Sequence, residues 1–176
     1  MKRTILRYGL ISSLIIVILF LLEFFIFRSA PNYDVQEIFG YTSMIVSMLL
    51  VFFGIKHYRD KENNGRLTFG RGMKVGVLIV LIPSVAFGIF NLLYVTVINP
   101  GFMKSYYQFY LAKMQQSMPA AEFVKAKAEL DAQMAMFSNP IISSLVMAVT
   151  VFLIGLIITV ISSLILRRNA RAATAS

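Results

Sequence analysis

The chain has no cysteine, no tryptophan, one histidine and only eight acidic residues among 176. Without cysteine, disulfides and thiolate metal sites are excluded. With His57 as the sole imidazole, an all-protein zinc or haem site lacks ligands, and no cofactor is expected. Charged residues are also scarce, at 14% against about 25% in soluble domains. Apolar residues fill the space: 58% of the chain is hydrophobic and the mean hydropathy is +0.75. A water-soluble fold of this length could not hide so much apolar surface, so the composition points to an integral membrane protein and a single domain, residues 1–176.

The net charge of +9 and pI near 10.0 bring nucleic acid to mind as a partner. The Lys and Arg residues, however, lie in the gaps between apolar runs and form no separable basic domain. A bilayer with anionic headgroups suits that arrangement better, and no nucleic acid is expected.

Four apolar runs predict four transmembrane helices, about residues 5–27, 38–55, 75–98 and 141–166. At about 1.5 Å per residue, the first reaches across a hydrocarbon core of about 30 Å. It begins like a signal peptide, but it is too long for one. Phe24, Phe25 and Phe27 crowd its far end and Pro31 follows Ser29-Ala30, so we expect it to be retained. The second run is barely long enough to cross, and its Gly40, Ser43, Ser47 and Gly54 form a small-residue stripe suited to close helix packing. The third contains Pro83, which removes a backbone hydrogen bond and predicts a kink near residues 79 to 83. In the fourth, Gly155, Thr159 and Ser163 recur every fourth residue, again a packing face.

Between the third and fourth runs, residues 102–137 read as an amphipathic helical hairpin outside the hydrocarbon. Phe102, Tyr106, Tyr110, Met114 and Met118 form one stripe; Phe123, Leu130, Met134 and Phe137 form another. Such stripes either fold onto each other, rest on the membrane surface or bind a partner helix. Asn139-Pro140 supplies a cap and a first-turn proline for the last run.

The most structured polar stretch is residues 56–74, which holds six of the seventeen Lys and Arg residues. Asn64-Gly65 predicts a tight turn with left-handed backbone, and Thr68 a cap for the third span. Its glycines lack the spacing of a phosphate-binding loop. Lys2, Arg3 and Arg7 flank the first run, and Arg167, Arg168 and Arg171 follow the last. Positive residues near spans stay cytoplasmic, which predicts both termini and residues 56–74 inside and the hairpin outside.

Few residues suggest chemistry. Glu23 is the sole carboxylate within an apolar run, where an acid costs about 2.5–3.5 kcal/mol at the helix centre and less towards the ends. It reads as an interfacial group or a partner of Arg28; alternatively, Glu23 and Asn91 form an intramembrane polar site on a cation or proton path. His57 reads as an interfacial residue beside Lys56 and Arg59 rather than a pH switch. Tyr58, Arg59 and Asp60 form a candidate cytoplasmic docking site. No nucleophile and base pair, metal cluster or carboxylate dyad is present, so no catalysis is expected.

The pattern Glu37-xx-Gly40-Tyr41-x-Ser43-Met44, then Gly54-Ile55-xx-Tyr58-Arg59-Asp60, then Gly65-xx-Thr68-Phe69-Gly70 and Gly76, resembles the bacterial membrane proteins of domain-of-unknown-function family forty-one ninety-nine. The resemblance extends from the first span to the fourth and is densest across residues 37 to 76. It implies four spans in a bacterial inner membrane with a long loop between the third and fourth, and carries no catalytic residue. The expected role is that of an accessory or scaffold protein that associates with itself or another membrane protein through its Gly and Ser stripes. The alternative is a small transporter or channel subunit using Glu23 and Asn91.

Overall fold

A computed structural model describes residues 1–29 and 31–168; Ala30 and the tail carrying Arg171 lie outside the described residues. Among those described there is no β-strand, and the chain is an all-α membrane protein. Four helical segments are long and apolar enough to cross a bilayer: Lys2–Phe27, Tyr33–Glu62, Phe69–Ile98 and Pro140–Leu166.

The first is one helix, α1 (Lys2–Phe27). Asn32 then starts α2 (Tyr33–Met48), its Oδ1 accepting from the Val35 amide at 3.2 Å. At Leu49 the helix tightens, with the Leu49 amide shared between the Ile45 and Val46 carbonyls, and it resumes as α3 (Leu50–His57). A π-turn, Tyr58–Glu62, ends this segment. Helix α4 (Phe69–Leu93) continues through Pro83 and ends in a second π-turn, Tyr94–Ile98. The hairpin is α5 (Phe102–Ser117) and α6 (Ala120–Phe137), and α7 (Pro140–Leu166) completes the set. Asn139 caps α7 as its sequence predicts, its Oδ1 accepting from the Ile141 amide at 2.9 Å. The second and third helical segments begin at Tyr33 and Phe69, several residues before their apolar runs.

The chain divides into two compact units, Met1–Phe87 with Ala148–Ser176, and Gly88–Met147. Helices α4 and α7 contribute to both.

The first unit is closed by small residues. A Cβ placed on Gly155 would stand 2.5 Å from Val80 Cγ1, one on Gly54 2.6 Å from Ile79 Cδ1, and one on Gly72 2.8 Å from Ser163 Oγ. Backbone therefore meets side chain with no room for a methyl group, which is how helices associate when lipid tails are as apolar as leucine. Buried hydroxyls on these faces are satisfied within their own helices. Ser13, Ser47, Ser84 and Thr159 each donate to a carbonyl three or four residues back in their own helix, at 2.8–2.9 Å. Large apolar residues point the other way: Leu14, Phe25 and Ile157 are 60% or more exposed, as a hydrocarbon surrounding requires.

In the second unit, α5 packs against α6. Phe102, Tyr106, Tyr110, Met114, Phe123, Met134 and Phe137 are half-buried and Leu130 is fully buried. The two predicted stripes thus form the seam of the hairpin. Met118 departs from this pattern, exposed where α5 has ended.

Candidate functional site

The polar end of the first unit is assembled from three separated pieces of chain. After the Tyr58–Glu62 π-turn, Asn64 and Gly65 take positive φ of 50° and 73°. The Arg66 amide donates to the Asn63 carbonyl at 3.0 Å, the geometry of a type I′ turn. Thr68 Oγ1 accepts from the Arg71 amide at 3.4 Å and caps α4, as its position predicts. Just past α7, Arg168 pairs with Leu67: the Leu67 amide donates to the Arg168 carbonyl at 3.1 Å and the Arg168 amide to the Leu67 carbonyl at 2.9 Å. Leu67 is buried within this clasp, at 1% exposure. From the other side, Thr4 Oγ1 donates to Glu62, which also pairs with the terminal amino group of Met1. Residues 1–7, 56–74 and 167–168, the basic clusters of the described chain, therefore share one end of the unit.

The predicted docking residues at this end are engaged within the protein. Tyr58 is buried. Arg59 grips Asp60 through both Nε and Nη2, at 2.7 and 3.2 Å, and its Nη1 reaches the Leu166 carbonyl at 3.4 Å. It thereby satisfies a carbonyl left open where α7 ends. His57 is half-buried with its ring 5.7 Å from that of Tyr8, in keeping with an interfacial residue.

Sequence reasoning missed a neighbouring feature. Asn63, Asn64, Arg66, Leu67, Thr68, Arg71 and Arg168 line a cavity of about 320 Å³. Arg71 Nη1 donates to Asn63 Oδ1 at 3.2 Å, and Asn63 Nδ2 donates to the Arg66 carbonyl. Among the described residues no carboxylate pairs with Arg66, Arg71 or Arg168. The arginine spacing around the Asn-Gly turn was visible in the sequence, but Arg168 joins only through the clasp.

Glu23 and Asn91 fall in different units. Glu23 lies on α1 with its Oε2 buried and without a hydrogen-bond partner among the described residues; a Cβ placed on Gly40 would stand 3.9 Å from it. No ion pair joins Glu23 to Arg28 among those residues. Asn91 is held in the second unit, where its Nδ2 lies 3.4 and 3.2 Å from the hydroxyls of Ser143 and Ser144. Those hydroxyls in turn donate to the Pro140 carbonyl. This chain ties α4 to the first turn of α7.

On the hairpin, Tyr107 OH donates to Asp131 Oδ1 at 2.7 Å and Lys127 Nζ to Asp131 Oδ2 at 2.6 Å. Both bonds, with Lys127 first, hold the Asp131 carboxyl below its usual range, while Asp131 raises the Lys127 amine and the Tyr107 phenol. The set is exposed, so it fixes the hairpin's register more than it stabilises it. Among the described residues, no group of three or more His, Asp or Glu is placed to hold a metal ion.

A family model described as protein of unknown function (DUF4199) matches residues 7–168. No curated protein and no solved structure matches the chain.

Proposed function

The chain belongs to the DUF4199 family, and from that premise we propose that it is a non-catalytic accessory or scaffold protein of a bacterial cytoplasmic membrane, acting through association with itself or another membrane protein. The observation that carries this reading is the interior of the first unit. Gly9, Gly54, Gly72, Gly76 and Gly155 meet side chains without a gap, and the buried hydroxyls of Ser13, Ser47, Ser84 and Thr159 are spent on their own backbones. Close packing of these small-residue faces supports helix association over an aqueous path. Because the Gly and Ser stripes are occupied internally, association falls to the exposed apolar helix faces and the hairpin. The shared end of the three basic clusters supports a topology with both termini and residues 56–74 in the cytoplasm.

The test is extraction of the native membrane into polymer-bounded discs, followed by mass measurement of the particle. The expected particle contains the 19.8 kDa chain in more than one copy or with another membrane protein. A particle holding one copy and lipid alone would overturn the reading.

One observation favours a second reading, a transporter or channel subunit: the buried, unpartnered Oε2 of Glu23. An acid in a spanning helix marks ion or proton pathways in many membrane proteins. In that case proteoliposomes pass a labelled cation or protons, and Glu23→Gln abolishes the flux. Flux that persists unchanged in Glu23→Gln removes Glu23 from any pathway.

A further inference from the structure

We propose that the cavity between the Asn63–Arg71 turn and Arg168 is a binding site for a phosphate group, of the kind carried by an anionic phospholipid headgroup. Such a site is compatible with a scaffold and with a transporter alike.

Three features converge on phosphate. First, the cavity gathers the side chains of Arg66, Arg71 and Arg168 around about 320 Å³. That volume is at the small end of ligand pockets, suited to a headgroup rather than to a dinucleotide. Second, its positive charge is uncompensated. The carboxylates of the stretch are spoken for elsewhere, Asp60 by Arg59 and Glu62 by Thr4 and the Met1 amino group. Third, the fold brings the three arginines to one place. Arg71 Nη1 donates to Asn63 Oδ1, while the I′ turn sets the backbone of Arg66 and the paired bonds to Leu67 set the backbone of Arg168. A planar guanidinium can donate two parallel hydrogen bonds to phosphate oxygens, so three arginines around one cavity favour this anion over a merely positive surface.

Position argues for the lipid as the source. Arg71 stands within the first turn of the spanning helix α4, and Arg168 is two residues beyond the last residue of α7. Residues at the ends of spans lie at headgroup depth. Basic clusters at that depth recognise anionic headgroups.

The test uses the full chain in nanodiscs, with native mass spectrometry counting the phospholipids retained on release. The membranes contain either phosphatidylglycerol in phosphatidylcholine or phosphatidylcholine alone. The expected result is preferential retention of phosphatidylglycerol, reduced by about fivefold for each arginine removed in the series leading to Arg66→Gln/Arg71→Gln/Arg168→Gln. A second triple, Lys2→Gln/Lys56→Gln/Lys61→Gln, removes equal charge from the same end without touching the cavity and is expected to lose clearly less, only what general attraction to an anionic surface supplies. Replacing all three arginines with lysine keeps the charge and loses the paired donors; it is expected to fall between the parent and the Gln triple. That variant also guards against misfolding caused by lost charge. Glycerol phosphate titrated in solution and followed by phosphorus NMR separates the sources: saturable binding lost in the arginine triple assigns free phosphate, and its absence beside retained phosphatidylglycerol assigns the lipid. Equal loss in both Gln triples, or no loss in the arginine triple, overturns the proposal.

Discussion

The polar end of the first unit and the α5–α6 hairpin are both charged helix-and-turn segments, yet they are organised in opposite ways. At the polar end, the bonds that set the geometry join residues far apart in sequence: Thr4 to Glu62 across 58 positions and Arg59 to Leu166 across 107. In the hairpin the longest described tie, Tyr107 to Asp131, spans 24. The first region takes its shape from the closed bundle of spans, whereas the second supplies its own seam. A charged segment that depends on distant partners becomes a carved surface; one that depends on its neighbour stays a self-contained arm.

The sharpest way to break the comparison is to spread the bundle. Gly155→Val places methyl groups where Val80 already stands and is expected to cost about 3 kcal/mol through overpacking. Thermal unfolding in detergent measures it, and Gly101→Ala, with nothing within 4 Å, serves as the control. A Gly155→Val melting temperature equal to that of the parent would mean that the small-residue contacts do not close the bundle.

Of similar size, Leu67→Ala removes the buried side chain of the clasp at a cost of about 3 kcal/mol. Amide exchange should then rise both at the start of α4 and at the end of α7. The matched change in the other region, Leu130→Ala, is expected to cost about 2 kcal/mol and to raise exchange in α5 and α6 alone. Exchange spreading from Leu130→Ala into α1 or α3 would erase the contrast.

The smallest effect is on pH. The Asp131 carboxyl is held below its ordinary range by Lys127 and Tyr107, so its pairing is present above that range and is lost as pH falls through the lowered value. Lys127 and Tyr107 are shifted up, so their contributions persist at neutral pH and vanish only as pH rises through their raised values. The side-chain chemical shifts of Tyr107, bonded to Asp131, should therefore change on acidification, and Asp131→Asn should abolish that change. An acid response that survives in Asp131→Asn would place its origin elsewhere.

Much of this architecture is legible in the sequence, because spans announce themselves as apolar runs and caps as Thr68 and Asn139. The starts of the second and third spans are not. Tyr33–Glu37 and Phe69–Lys74 are helical but mix apolar residues with charged and glycine positions, so the apolar count begins only after the helix has. The hairpin stripes were readable because their period is local. The clasp of Leu67 with Arg168 was not, since a single pair of backbone bonds leaves no periodicity behind. The same holds for Asn91 with Ser143 and Ser144. The burial of Tyr58 within its π-turn, beside the exposed Asp60, likewise left no mark in the sequence.

The two π-turns, Tyr58–Glu62 and Tyr94–Ile98, have a consequence for descent. A π-turn is a helical turn holding one extra residue, and both stand at the exits of spanning segments. An insertion there is absorbed as a bulge, leaving every upstream side chain on its original face. Had the extra residue fallen mid-span, each later glycine would have rotated away from its partner. Length variation among relatives is therefore expected to collect at these exits, where the reading frame of the packing faces is already complete.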